Sequence, residues 1–346
     1  MNIVIASTIV PFINGGGTFI VDWTATRLKK LGHNVEVLKI PFSHCYPTAI
    51  KQMIALESLD LPKKTDLLIS IRTPSYLINH PNHVCWFIHH YRVIYELWGT
   101  KLQEGVPNTA NGLRYRQAII DKDNEAFKKI KKIYTNSVEV KERLEKYNNY
   151  EAEVLYPPLM DQEDFYCKEY GDFIYYASRL TTIKRQYLAI EAMRFVKSKV
   201  KLIISGFPDT PEAGLNLKEL IKKHNLSDRV TLIDKWITKN EKIDFFSRCL
   251  ASIYIPYKED SYGYPALESF ASSKAVITCE DSGGTGEIIK DKENGLIVKP
   301  NPKSLAKAFD QLYKNKEWAR AMGLQANKTL LVSGINWENV LIKLTK

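Results

Sequence analysis

Short runs of branched and aromatic residues alternate along the chain with amphipathic runs of helical length. Parallel sheets that are covered by helices on both faces give this pattern. The alternation occurs twice, which indicates two α/β domains. Predicted strands of the first series are 3–7, 35–40, 67–71, 84–88, 133–135 and 154–156, and those of the second are 173–177, 201–205, 230–233, 251–255 and 275–278.

The boundary between the two domains is predicted near residue 158. Pro157 and Pro158 separate the two series, and consecutive prolines continue neither a helix nor a central strand. A chain of 346 residues is also longer than one ordinary core, which stops growing at about 250 to 300 residues. We predict an N-terminal domain over 1–158 and a C-terminal domain over 159–335. Segment 336–346 carries one apolar helical face and is predicted to pack back on the N-terminal domain.

Composition and charge exclude several classes of protein. Hydrophobic residues make up 45% of the chain and charged residues 25%, which is too apolar for wholesale disorder. The net charge of +10 is spread thinly, so it favours anionic ligands or a membrane surface over nucleic acid. The 5 cysteines form no C-x-x-C pair, and no stretch approaches the roughly 20 apolar residues of a membrane span. We predict a cytoplasmic protein that is at most peripheral at the inner face of the membrane.

A glycine-rich turn follows the first predicted strand and precedes a helix over 19–31. Glycines let backbone amides approach an anion at a helix N-terminus, so Gly16 and Gly17 are candidate phosphate contacts. The turn is neither G-x-G-x-x-G nor a P-loop, and an ordinary strand-to-helix turn is the alternative.

Two permanent cations follow the first strand of the second series. Arg179 and Lys184 lie five positions apart after strand 173–177, at the edge where parallel sheets bind ligands. Arg can grip phosphate oxygens in bidentate fashion and Lys adds a point charge, so a diphosphate would suit the pair. The alternative is two surface cations in a loop.

Residues 260–268 combine a turn with two carboxylates. Pro265 suits the first position of a helix, which leaves the three residues before it as a turn whose amides point into a cleft: Tyr262, Gly263 and Tyr264. Asp260 and Glu268 then face the same cleft. There they can accept hydrogen bonds from two diols, such as a ribose and a sugar ring.

Taken together, these elements resemble the retaining, nucleotide-sugar-dependent glycosyltransferases of family four, which have the GT-B fold. Arg179 and Lys184 match the family's R-x4-K element, which grips the donor diphosphate. Segment 260–268 matches its E-x7-E element, in which the first acid contacts the donor sugar and the second the ribose. The resemblance therefore implies that the C-terminal domain holds the donor.

Three further segments carry the resemblance. Residues 283–288 and 294–297 are similar to the family's G-G-x-x-E-I and N-G-hydrophobic elements, with Gly295 predicted to mark a turn. Residues 15–17 are similar to its N-terminal glycine loop, which approaches the donor phosphates. Two positions depart from the family and bear on donor choice. Asp260 is one methylene shorter than the usual Glu, and Trp236 stands where the family often has a small turn beside the base.

The resemblance also implies an acceptor side in the N-terminal domain. In the family a His after the strand that matches 84–88 lies near the reacting carbon, and His89 is the better match, with His90 second. The aromatic-rich loop that follows is either a wall for the acceptor sugar or core. Its acceptor-side candidates are Tyr91, Arg92 and Trp98.

Asp121 and Asp123 spell D-x-D, the metal motif of a different glycosyltransferase fold. They lie in a charged, helix-like run, so we interpret both as solvated surface. No metal and no cofactor is predicted, apart from the donor substrate itself.

The predicted function is metal-independent transfer of a hexose-type sugar, with retention, from a UDP- or GDP-linked donor to a glycan or lipid-linked acceptor. As the resemblance implies, two Rossmann-like domains would face a cleft, the second for the donor and the first for the acceptor. The alternatives are a nucleotide-sugar epimerase, a nicotinamide-dependent dehydrogenase and a non-catalytic nucleotide-sugar-binding module. A dehydrogenase is disfavoured because the first turn lacks G-x-G-x-x-G.

Overall fold

A computed structural model describes residues 1–11 and 16–346 of the chain. The chain divides into two compact units. Unit 1 contains Met1–Pro158 and Asn336–Lys346, and unit 2 contains Leu159–Ile335.

Unit 1 is built on a six-stranded parallel sheet with the strand order β2-β1-β3-β4-β5-β6. The strands are β1 Asn2–Ile9, β2 Asn34–Pro41, β3 Leu67–Ile71, β4 His83–Phe87, β5 Lys132–Thr135 and β6 Glu153–Val154. The helices are α1 Gly16–Lys30, α2 Ala49–Glu57, α3 Ala110–Lys129, α4 Val138–Asn148 and α11 Trp337–Thr345. All residues of β3 and β4 are buried, as expected for central strands that are covered on both faces.

The C-terminal helix α11 packs on the sheet of unit 1. Its apolar face joins a core cluster with Ile3, Ile5 and Val21, through the side chains of Trp337, Val340, Leu341 and Leu344. The side chain of Asn336 caps the helix by accepting a hydrogen bond from the amide of Asn339 at 2.9 Å. Packing of this helix on the N-terminal domain is therefore confirmed.

Unit 2 repeats the architecture with the strand order β12-β11-β10-β7-β8-β9, again parallel. The strands are β7 Phe173–Ala177, β8 Lys201–Ser205, β9 Val230–Ile233, β10 Ala251–Ile253, β11 Val276–Cys279 and β12 Gly295–Val298. The helices are α5 Gln186–Ala192, α6 Pro211–Lys223, α7 Lys239–Arg248, α8 Tyr264–Ala271, α9 Pro302–Lys314 and α10 Lys316–Val332. The predicted α/β fold with two parallel sheets is confirmed.

Strand β12 was not predicted, because Gly295 was interpreted as a turn. The structure pairs Gly295 with Val276 of β11 at the edge of the sheet. A Cβ at position 295 would lie 2.3 Å from the carbonyl oxygen of Val276, so the glycine permits a close approach of two strands. Glycine in this strand reflects backbone contact and not chain reversal.

Among the described residues, 1–11 and 16–346, no helix combines the length and the apolar character that crossing a bilayer requires.

The interpretation of the D-x-D pair as solvated surface is wrong for Asp123. Asp121 is exposed, but the side chain of Asp123 has 0% exposure and lies inside unit 1 on α3. Its carboxylate accepts hydrogen bonds from the hydroxyls of Tyr76 at 2.8 Å and Tyr95 at 2.6 Å. Burial raises the pKa of Asp123 to about 7, although both hydrogen bonds oppose the rise. The two aspartates lie on different faces of α3, so Asp121 is exposed to solvent and Asp123 is buried.

The raised pKa of Asp123 predicts a pH dependence of stability. The folded state holds this proton more tightly than the unfolded state, so protonation stabilises the fold. We expect the melting temperature of the wild type, relative to Asp123→Asn, to fall as the pH rises from 4 through 7. A constant difference in melting temperature between the two proteins over this pH range would contradict the raised pKa of Asp123.

Candidate functional site

The two cations that the R-x4-K pattern singles out lie at the carboxyl end of β7. Arg179 donates from Nη1 to Oδ1 of Asp209 at 2.8 Å, and its side chain is 42% exposed. Lys184 closes a short helical turn after the strand, and its side chain is only 15% exposed. Its Nζ donates to the hydroxyl of Tyr254 at 2.7 Å and forms an ion pair with Glu259.

Tyr254 connects the elements of this cluster. It follows β10, and its phenol is buried and lies beneath Nζ of Lys184, 5.1 Å from the ring centroid. Burial raises the pKa of Tyr254 well above its ordinary value, and the charge and hydrogen bond of Glu259 raise it further. The positive charge of Arg179 acts on the same hydroxyl in the opposite direction, so Tyr254 contacts Lys184 directly and lies within electrostatic reach of Arg179.

The turn before α8 is shaped to fit Tyr254. Gly263 caps the helix with a φ of 75°, a conformation that L side chains rarely adopt. A Cβ at this position would lie 2.2 Å from Cε1 of Tyr254. The helix begins at Tyr264, one residue before the predicted start, and Tyr262 is buried.

Glu268 lies on the buried face of α8. Its side chain is 6% exposed and forms an ion pair with Lys242 of α7. Its charge also helps to raise the pKa of Tyr264, after burial as the main cause. Trp236 precedes α7 and is 58% exposed, so its ring is available to a ligand on the surface of unit 2.

Gly283 and Gly284, the glycine pair of the G-G-x-x-E-I element, pack against the backbone of residues 259–261. Gly283 has a φ of 61°, and a Cβ there would lie 2.4 Å from the carbonyl oxygen of Glu259. A Cβ on Gly284 would lie 2.9 Å from the backbone of Ser261, and its amide donates to Glu259 at 3.0 Å. The glycines therefore allow two backbone segments to touch, which fixes the position of the acids.

Four further residues shape this region, although the sequence analysis assigned a role to none of them. Glu259 and Tyr254 contact Lys184, as described above. Arg185 is buried and donates to the carbonyl of Ile255 at 2.7 Å and to both oxygens of Asp281. A Cβ on Gly206 would lie 1.7 Å from the carbonyl oxygen of Ser178. Gly206 directly follows a predicted strand and Tyr254 lies near the carboxyl end of another, which was the available signal; Glu259 and Arg185 carried none.

In unit 1, His89 follows β4 and is half-buried. Its Nδ1 lies 2.8 Å from the carbonyl oxygen of His90, and its own carbonyl accepts from Thr73 at 2.5 Å. Gly17 is the second residue of α1, and Nε of Arg72 lies 3.3 Å from where a Cβ on Gly17 would be. Gly16 begins the helix, and Gly15 lies outside the described residues.

A second histidine shares this edge of the unit 1 sheet. Burial lowers the pKa of His44 to about 3, and the charges of His89 and Arg72 lower it further. The three basic side chains therefore lie within electrostatic reach of one another, after β2, β3 and β4. Arg72 directly follows the predicted strand 67–71, which was the available signal, whereas His44 carried none.

The loop after β4 is mainly core. His90 is 1% exposed, with its ring against Phe87 and Tyr95 and its Nε2 2.8 Å from Oδ1 of Asn148. Tyr91 is also buried, and its hydroxyl donates to the carbonyl of His44. The remaining acceptor-side candidates are half-buried: Arg92 pairs with Glu96, and Trp98 packs under Arg116 at 5.2 Å.

Residues 164–329 match the family model of glycosyl transferases group 1. One curated relative is the N-acetylgalactosamine-N,N'-diacetylbacillosaminyl-diphospho-undecaprenol 4-alpha-N-acetylgalactosaminyltransferase of Campylobacter jejuni. It is 30% identical over 175 residues, which cover 46% of this chain and 44% of the relative. The chain spans about half the length of the curated relatives it matches.

Two solved structures share the fold of nearly the whole chain. Sucrose-phosphate synthase from Thermosynechococcus elongatus aligns with a TM-score of 0.76 at 16% identity, covering 99% of this chain and 97% of that one. Anabaena HepE in complex with UDP and glucose aligns with a TM-score of 0.72 at 15% identity, covering 99% of both chains. The two parallel six-stranded sheets with their helices have the GT-B fold.

Proposed function

We propose that this protein, whose family match and GT-B fold support membership of the glycosyl transferases group 1 family, transfers a hexose-type sugar from a nucleotide-diphosphate sugar. The transfer would retain the anomeric configuration, need no metal, and use a glycan or lipid-linked acceptor. The observation that carries the proposal is the placement of Arg179 and Lys184 directly after β7, at the carboxyl end of the unit 2 sheet, with Lys184 held by Tyr254.

The charges of this cluster suit a departing diphosphate. Lys184 has three protons on Nζ, of which Tyr254 and Glu259 take two, so a third is available to a phosphate oxygen. Arg179 is exposed and pairs with Asp209 in a solvent-screened contact, so a diphosphate can replace Asp209 at little cost. Positive charge held at these positions stabilises the negative charge that builds on the leaving group.

The remaining donor contacts follow from the same frame. Glu268 is buried on α8 and would accept the ribose hydroxyls, with Asp260 on the donor sugar. The Gly263 turn and the side chains of Tyr262, Tyr264 and Trp236 would complete the donor site. In unit 1, Gly16 and Gly17 would approach the phosphates and His89 the reacting carbon, with Arg92 and Trp98 on the acceptor side. His90 and Tyr91 would support that side from the core.

UDP is the preferred nucleotide for a test, because a structure with this fold binds UDP and glucose. The relative from Campylobacter acts on a diphospho-undecaprenol substrate by its name, which supports a lipid-linked acceptor and action at a membrane surface. GDP-linked donors belong in the same panel.

One NMR experiment tests the proposal against its rivals. UDP- and GDP-sugars are incubated with the protein and the anomeric signals are followed from the first minutes. Retention predicts release of nucleoside diphosphate, with the first sugar product in the configuration of the donor. An epimerase would change the sugar without releasing the nucleotide, and a binding module would shift the melting temperature without turnover. A first product of inverted configuration would contradict retention.

A further inference from the structure

Glu259 precedes the first acid of the acidic segment and belongs to none of the family elements described above. Its carboxylate nevertheless forms the ion pair with Lys184, the more buried of the two diphosphate-binding cations. The side chain of Glu259 is 17% exposed and that of Lys184 is 15% exposed, so water screens this pair poorly.

The backbone holds Glu259 in this position. Its amide donates to the carbonyl of Ser282 at 3.2 Å, and its carbonyl accepts from the amide of Gly284 at 3.0 Å. Gly283 lies against the same backbone without room for a Cβ. Before it, Lys258 has a φ of 46° and donates to the carbonyl of Asp281 at 2.9 Å. The carboxylate is therefore aimed at Lys184 by a fixed main chain.

Arg179 and Lys184 thus each form an ion pair with one carboxylate, and the two ion pairs differ in burial. The pair of Arg179 and Asp209 is 42% and 38% exposed, so it contributes little and is easily replaced. The pair of Lys184 and Glu259 is largely removed from water. A diphosphate that approaches Lys184 meets the negative charge of Glu259 at close range, where like charges repel most strongly.

We infer that Glu259 is an affinity-determining residue of the donor site, a built-in carboxylate that competes with the donor diphosphate for Lys184. The inference rests on the proposed function. In the absence of a diphosphate, Glu259 holds Lys184 in place and partly neutralises its charge. When a diphosphate binds, the charge of Glu259 lowers the affinity of the site for it. Such a residue would favour release of the nucleoside diphosphate after transfer.

The test compares binding of UDP, GDP and ADP to the wild type and to Glu259→Gln by calorimetry, and then of the matching nucleoside. Gln keeps the shape and an oxygen for Lys184 but removes the charge. We expect the Kd for the preferred nucleoside diphosphate to fall about tenfold, with the nucleoside Kd unchanged. Glu169→Gln is the matched control, because Glu169 is exposed near the amino end of β7, and we expect no change in either Kd.

Each result has a distinct meaning. An unchanged or higher diphosphate Kd in Glu259→Gln, or an equal change for the nucleoside, overturns the inference while the proposed function stands. Failure of the wild type to bind any nucleoside diphosphate overturns the proposed function and the inference with it. If Glu259→Gln melts well below the wild type, Glu259→Ser gives the same comparison, and its diphosphate Kd must also fall.

Discussion

We expect replacement of Lys184 with Ala to lower kcat for nucleotide release by roughly 100-fold or more, because in the proposed function Lys184 supplies the main positive charge to the leaving diphosphate. The loss has two parts. The ammonium no longer stabilises the developing charge, and the carboxylate of Glu259 remains beside the site without its partner. A double variant, Lys184→Ala with Glu259→Gln, removes the second part, so we expect it to recover part of the loss.

Rates of UDP release from the preferred donor, measured at saturating donor, check this prediction. Lys316→Ala is the matched control. Lys316 pairs with Asp172 at 2.6 Å, next to the amino end of β7. Its replacement therefore removes one positive charge at the edge of the same sheet opposite to Lys184. Its turnover should match the wild type. Turnover of Lys184→Ala at the level of this control would refute the role of Lys184.

The architecture followed from the sequence because it depends on local patterns that repeat. All eleven predicted strands are present. A short run of branched and aromatic residues between two helical patterns is typical of a buried strand in a parallel sheet. The apolar face of α11 likewise predicted its own burial. Strand β12 was missed because it begins with a glycine, which favours a turn in the sequence and whose role is defined by its neighbour Val276 in the structure.

The site was less predictable, because its contacts join residues that are far apart in the chain. Arg179 and Lys184 could be named from their place after a strand, and the resemblance named the acids. Neither source indicated that Lys184 pairs with Glu259, 75 residues away, or that Nζ of Lys184 also donates to the hydroxyl of Tyr254. Asp123 shows the same limit: a charged run predicted surface, but two tyrosines from other segments enclose it.

Glycines of the site show how a pattern and its physical cause differ. Gly263, Gly283 and Gly284 belong to segments that the resemblance identified, yet the sequence gives no distance between backbones. In the structure each one permits a contact that a side chain would block. The glycines therefore position the acids and Tyr254, which in turn hold Lys184.

Gly263→Ala tests this chain of contacts and should be strongly destabilising, because the added methyl group meets the ring of Tyr254. The alanine would have to keep the backbone φ of 75°. Its Cβ would lie 2.2 Å from Cε1 of Tyr254 and 2.8 Å from its Cζ. Backbone strain and overpacking together cost about 2–5 kcal/mol of unfolding free energy. The ring of Tyr254 has to move, so Lys184 loses a hydrogen bond and donor turnover falls with stability.

Chemical denaturation followed by tryptophan fluorescence, which reports on both units, and the rate of UDP release measure the two effects of Gly263→Ala. Gly286→Ala is the matched control, since a Cβ at Gly286 meets no atom within 4 Å, and it should unfold and turn over like the wild type. In a Tyr254→Ala background the steric part of the cost disappears and only the strain at φ 75° remains, so the same substitution becomes less destabilising. An equal cost in both backgrounds would show that Gly263 is required for its backbone conformation and not for the fit of Tyr254.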